Sequence, residues 1–155
     1  MLQRIILVLI VALGCQALLA QQTSNKSDRE KAGLVGPVAT IKVESTHLER
    51  ENGKVVESER VVYEQSEYDK SGKLINQKKD IVYGDPLPCH PQHKYDDKHR
   101  TTEDFCTDGT REKVLWKYAY EEDRFGNWIK QVSSVPDGDG FRAQIIIFRT
   151  ITYFQ

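Results

Sequence analysis

The chain has 155 residues, with 22 Lys and Arg against 23 Asp and Glu, for a formal net charge of -1. Charges that cancel this closely leave no basic field for nucleic acid and no acidic tail for a basic partner, so the surface is expected to be a solvated mixture of both signs. The length supports one domain with a modest core and leaves little room for two.

Residues 1–20 carry Arg4, the apolar run Ile5-Ile6-Leu7-Val8-Leu9-Ile10-Val11-Ala12-Leu13, and small residues at Ala17 and Ala20. This is the pattern of a signal peptide, with cleavage expected after Ala20 and delivery to the periplasm or the secreted fraction. The run is short of the roughly 20 residues that span a bilayer, and polar Gln21-Gln22-Thr23-Ser24-Asn25 follows it, so no stable membrane span is expected after cleavage. The stretch Ala12-Leu13-Gly14-Cys15 admits a second reading, a lipoprotein anchored through Cys15. The apolar Ala17-Leu18-Leu19-Ala20 that follows is unlike a polar tether and ranks that reading behind the first.

Residues 21–36 read as a tether with one short helix. Ser27-Asp28-Arg29-Glu30 has the spacing of a capping box, and Gly33 is placed to end the helix. From residue 37 to 155 the pattern is that of a single all-β domain. Pro37 forbids further helix, and Val38 to Thr46 is β-branched and partly alternating, as in a half-buried strand. Asn52-Gly53 predicts a tight hairpin turn, because both central residues must take positive φ. Residues 54–68 then read as one long strand bending midway, or as two broken near Gln65-Ser66; the single bent strand is the preferred reading. Asp69-Lys70-Ser71-Gly72 turns the chain into a strand over 74–83, which Pro86 and Pro88 end.

Residues 84–111 read as an insertion, rich in His, Asp and Lys, that interrupts the sheet. Strand character resumes at Val114, where Val114, Trp116, Tyr118 and Tyr120 share one face at a period of two. Asp123 to Gly126 turns into a strand over 127–135, Pro136 to Gly140 turns again, and 141–154 forms a long last strand. Its centre, Ile145-Ile146-Ile147-Phe148, is apolar on both faces and belongs mid-sheet or beneath a second layer. The expected fold is all-β, an antiparallel meander of about six twisted strands built from hairpins, with one disulfide-stapled loop.

Cys89 and Cys106 remain after signal cleavage, and in an oxidising compartment an even pair most simply forms a disulfide. His90, His93 and His99 lie between them beside Asp96 and Asp97, and the His90/His93 spacing could chelate a metal, but no zinc-site spacing is matched and a disulfide would remove both thiolates. Tyr63, Tyr68, Trp116, Tyr118, Tyr120 and Trp128 form a candidate ligand platform for sugar or peptide; the simpler reading is that they pack together as cross-strand pairs. No nucleophile elbow, phosphate loop or His-Glu-x-x-His helix is present. No catalytic residue and no cofactor are therefore assigned.

The Tyr63…Tyr68-Asp69-x-x-Gly72 unit and its partner over 118–127 resemble the YD repeats of Rhs-type bacterial surface and secreted proteins. Asp69 aligns with Asp123 and Gly72 with Gly126, while Glu122 stands where the first unit has Tyr68. Gly126-Asn127-Trp128, the ending Arg149-Thr150-Ile151-Thr152-Tyr153-Phe154 and the entry Gly33-Leu34-Val35-Gly36-Pro37-Val38 resemble small exported bacterial proteins with degenerate repeats of this kind. The resemblance implies a sheet of β-hairpins, too few to enclose a cargo as large Rhs shells do. The expected function is a non-enzymatic structural or interaction module that meets an unknown protein or glycan of the envelope, with exposed strand edges that a partner could extend. Two alternatives stand beside it: a metal-dependent or hydrolytic enzyme centred on the 89–106 loop, and a carbohydrate- or peptide-binding aromatic sheet face.

Overall fold

Beyond Pro37 the β-branched and aromatic residues that alternate with charges take the extended conformation their side chains favour. The computed structural model describes residues 26–80, 89–107, 109 and 111–155; the expected signal peptide, Cys15, the polar tether and the Gly84 to Pro88 turn lie outside these residues. Among them, one helix, α1 (Asp28–Lys31), precedes nine strands: β1 (Val38–Glu51), β2 (Lys54–Glu57), β3 (Val61–Tyr68), β4 (Leu74–Lys79), β5 (Gln92–Tyr95), β6 (Thr101–Thr107), β7 (Glu112–Glu122), β8 (Trp128–Asp137) and β9 (Gly140–Tyr153). All pairings are antiparallel, in the order β4-β3-β1-β9-β8-β7-β6-β5, with β2 also paired to β1.

The all-β class, the hairpin construction and the disulfide agree with the sequence; the strand count is nine rather than six. Two corrections account for the difference. Residues 54–68 divide at Ser58, whose N–H still donates to His47 C=O at 2.9 Å but whose Oγ accepts from His47 N–H at 3.0 Å and whose C=O accepts from Thr46 Oγ1 at 2.7 Å, so side-chain bonds take over part of the ladder there. The break at Ser58 to Arg60 falls well before Gln65-Ser66, which pair with β1 without interruption. The expected insertion also adds β5 and β6 to the sheet instead of interrupting it. Lys94 faces Glu103, which faces Lys117, and both contacts are ion pairs at 3.3 Å. Opposite charges across strands can hold a ladder that apolar content would not suggest.

Chain order is also not that of a simple meander, because β9 pairs with β1 and so puts the last strand in the middle of the sheet. Ile145, Ile147 and Phe148 are accordingly half-buried and Ile146 is buried. Extensive contact between elements is confined to hydrogen-bonded neighbours. Among the described residues the sheet is therefore one layer thick, and the apolar centre is covered from the side by its neighbours rather than by a second sheet.

Three turns at one end of the sheet share one geometry. Asp69, Asp96 and Asp123, equally spaced along the chain, each donate a backbone N–H to the C=O four residues on, at Lys73, Arg100 and Asn127. Each carboxylate accepts the N–H of that same residue at 2.9–3.0 Å. The left-handed position is Gly72 (φ 87), His99 (φ 60) and Gly126 (φ 85). A register shift falls one residue before each aspartate. The middle turn, Tyr95-Asp96-Asp97-Lys98-His99, escapes a sequence search for Asp-x-x-Gly because histidine stands at the glycine's place.

The N-terminal segment straps across this end. Ser27 and Glu30 form the expected capping box, and α1 docks on the first turn through Arg29 N–H to Gly72 C=O (2.9 Å) and Leu74 N–H to Asp28 (3.1 Å). Leu34 and Val38 then bury against Ile41, Val43 and Tyr68, the core cluster of the domain. At the third turn the Asn127 amide accepts from Val35 N–H at 2.7 Å and donates to Val35 C=O at 2.8 Å, imitating a strand partner.

Candidate functional site

The face that carries the strap also carries Tyr68, Tyr118, Tyr120 and Trp128. Register places Ile41 opposite Ile151, Val43 opposite Arg149, Ile147 opposite Gln131, and Gln131 opposite Tyr120; residues paired this way share a face. Tyr118, beside Tyr120 at the period of two, faces Ser133. Thr40, Lys42, Glu44 and Phe148 occupy the other face, where the Thr40 and Thr152 hydroxyls meet at 2.6 Å and Arg60 stacks 3.7 Å from the Phe148 ring centre.

The strap covers only part of its face. Between its Gly33 and Val35, the second turn at Lys98 to Arg100, and the third turn at Phe125 to Trp128 lies an open cleft of about 560 Å³ with Arg149 on its floor. The Arg149 guanidinium stacks 3.6 Å from the Trp128 ring centre, and Tyr120 meets Trp128 edge-on at 6.1 Å. Burial holds Arg149 below its ordinary pKa, against the favourable field of Glu64 and of the Tyr63, Tyr68 and Tyr120 hydroxyls. Its Nε is buried without a hydrogen-bond partner.

The second turn presents a charged wall. Arg100 pairs with Asp96 and with Glu122, each at 2.6 Å, and Lys98 also pairs with Glu122. These contacts lower the Asp96 carboxyl, chiefly through the Arg100 N–H, and the Glu122 carboxyl, chiefly through Lys98. At the third turn burial raises Asp123, but bonds from the Tyr153 hydroxyl and from the Phe125 and Asn127 N–H groups outweigh it and leave its carboxyl low.

The residues singled out from sequence are divided by the fold. Cys89 and Cys106 form the expected disulfide, with Cα atoms 6.2 Å apart. His93 Nδ1 lies 2.7 Å from Asp104, which also accepts from the Tyr118 hydroxyl at 2.6 Å. Asp96 is engaged in its turn and with Arg100, His99 holds the left-handed position, and His90 and Asp97 are exposed. Among the described residues no three His, Cys, Asp or Glu side chains are grouped to hold a metal.

Of the proposed platform, Tyr120 and Trp128 meet directly. Tyr63 and Tyr68 do not line the cleft: Tyr68 lies in the core cluster, with Tyr63 packed against it. Trp116 and Tyr118 continue the row away from the cleft, towards His93 and Asp104. Burial first, then the Asp104 bond, raise the Tyr118 hydroxyl well above its usual value.

Sequence reasoning missed Arg149, Lys98 and Arg100. Arg149 does carry a signal, since it is a charge at the period-two position between Ile147 and Ile151 on an otherwise apolar strand face. Comparison with protein-family models, curated proteins and solved structures returns no match.

Proposed function

We propose that the chain is an exported, non-enzymatic interaction module of the envelope or secreted fraction, and that it holds its ligand on the aromatic face of the sheet rather than by strand addition at an edge. The observation that carries this reading is the open cleft floored by Arg149 and Trp128 and walled by two turns and the strap. A cleft of this size, with apolar rings and a few polar groups converging on it, suits a small ligand or one or two units of a polymer. The edges support the reading from the other side. β4 carries Lys78 and Lys79, β5 is four residues long and carries Lys94, and short, lysine-bearing edges discourage added strands.

The three equivalent turns favour the YD-repeat-like reading over two chance matches, since a third unit recurs at the same spacing with the same backbone bonds. The engagement of Asp96 by Arg100 and of His93 by Asp104 favours a structural role for the 89–106 segment over an enzymatic one. Binding of the purified chain to arrayed glycans and peptides, compared with Trp128→Ala, tests the proposal. The expected result is retention of a defined ligand class by the parent chain and at least tenfold weaker retention by the variant, with the strand signal in circular dichroism unchanged. Retention that Trp128→Ala leaves intact would move the site elsewhere, and no retention would end the reading.

A further inference from the structure

We propose that Arg149 is the ligand-contacting cation of this cleft and that it selects a carboxylate-bearing ligand, seated in the plane of the guanidinium. The inference rests on the binding-module reading above and adds the chemistry of what is bound.

Three observations carry it. The first is the absence of a partner: among the described residues, no hydrogen bond or ion pair reaches the Arg149 guanidinium, and its Nε is buried and unpaired. Buried polar groups are nearly always satisfied, and a buried arginine usually has its acid beside it. The acid that compensates it most, Glu64 on β3, acts only through its field. It accepts from Ser66 at 3.3 Å and lies 3.6 Å from Lys79, so it belongs to the β3 and β4 ladder.

The second is geometry. Trp128 covers one face of the guanidinium and the Nε is buried, which leaves the in-plane edge of the two terminal Nη groups for a ligand in the cleft. That planar fork matches the two oxygens of a carboxylate in a way that an ammonium does not.

The third is charge. Lys98, Arg100 and Arg149 stand at the cleft, and Asp96 and Glu122 already neutralise the first two. One positive charge remains, which a monoanion balances and a dianion overbalances. Carboxylate is therefore favoured over a doubly charged phosphate. The source could be an acidic sugar or the carboxylate of a peptide, and the two are separable by experiment.

The test is titration of the purified chain, at constant ionic strength, with sodium glucuronate and with N-acetylalanine, each against its neutral counterpart, glucose and N-acetylalanine amide. Heat of binding and tryptophan fluorescence are both recorded, with Trp116→Phe as the background that isolates Trp128. Saturable binding of at least one carboxylate is expected, tenfold or more tighter than its neutral counterpart. Arg149→Met should abolish it and Arg149→Lys should weaken it at least tenfold, since lysine restores the charge without the fork. Circular dichroism and melting of both variants check the fold, and should Arg149→Met not fold, the Arg149→Lys arm decides. Preference for glucuronate identifies the acidic sugar, and preference for N-acetylalanine the peptide carboxylate. Equal binding of the neutral probes, or binding that survives both substitutions, overturns the proposal. Array ligands lost in Trp128→Ala but kept in Arg149→Lys would sink the carboxylate inference and leave the module reading standing, whereas no ligand in either experiment removes both.

Discussion

At the residue scale, the three aspartate turns set one demand, a left-handed backbone three residues after Asp69, Asp96 and Asp123, and meet it with different side chains. Gly72 has a second constraint, because a Cβ there would come within 2.8 Å of Ser27 Oγ, the atom that caps α1. His99 holds the same backbone region with a full side chain, a conformation that disfavours branched and bulky residues and that glycine adopts freely. Opposite substitutions should therefore have opposite signs. Gly72→Ala is expected to lower stability by about 1–3 kcal/mol through backbone strain and a displaced cap. His99→Gly should raise it by up to about 1 kcal/mol, the relief of strain being partly offset by the greater freedom of glycine in the unfolded chain. Urea midpoints of the two variants check this, and a destabilised His99→Gly would show that the histidine side chain contributes to the turn.

At the scale of the element, the edge hairpin β5–β6 is the least expected part of the sheet. It has little apolar surface, Phe105 being its buried residue, and it is held by the Lys94, Glu103 and Lys117 ladder, the His93 and Asp104 contact, and the disulfide. Exposed ion pairs of this kind are each worth at most about 1 kcal/mol and weaken with salt. The Cys89–Cys106 bond, closing a sequence separation of 17, is worth roughly 3 kcal/mol in the chain-entropy model. Reduction should therefore lower overall stability by about that amount and should raise amide exchange in β5 and β6 before β1 and β9. Thiol titration of the native protein should find neither cysteine free. Exchange that rises uniformly across the sheet on reduction would show that the edge hairpin is not a separable unit.

At the scale of the whole molecule, stability should vary with pH at both extremes. Asp69, Asp96, Glu122 and Asp123 have folded-state pKa values below their ordinary ones, Asp69 chiefly through the Ser71 hydroxyl and the Lys73 N–H. A depressed carboxyl contributes stability that is complete above its unfolded value, near pH 4, and is lost as pH falls through the folded value. Tyr118, Tyr120 and Tyr153 are shifted upward, first by burial and, for Tyr118 and Tyr153, then by bonds to Asp104 and Asp123. A raised phenol contributes below its unfolded value, near pH 10, and that contribution is lost as pH rises through the folded one. The urea midpoint should thus be flat from about pH 5 to 9 and fall on either side. Replacing the turn aspartates by asparagine should flatten the acid limb alone; an acid limb that remains unchanged would place the responsible carboxyls outside the turns.

Local chemistry in the sequence determined the β class, the capping box at Ser27, the turns at Asn52-Gly53, Asp69 and Asp123, and the cysteine pairing, because each depends on residues close together in the chain or on a count of two. The β5–β6 hairpin was hidden because its ladder is written in charges whose complementarity shows only once Lys94, Glu103 and Lys117 are in register. The middle turn was hidden by His99, though Tyr95-Asp96 repeats the spacing of the other two. Tertiary structure alone decided that β9 returns to pair with β1, and with it the cleft. That pairing brings Arg149 beside Trp128 and under the strap, and no local pattern encodes it, since antiparallel pairing of the first and last strands satisfies the same alternation as pairing with any other neighbour.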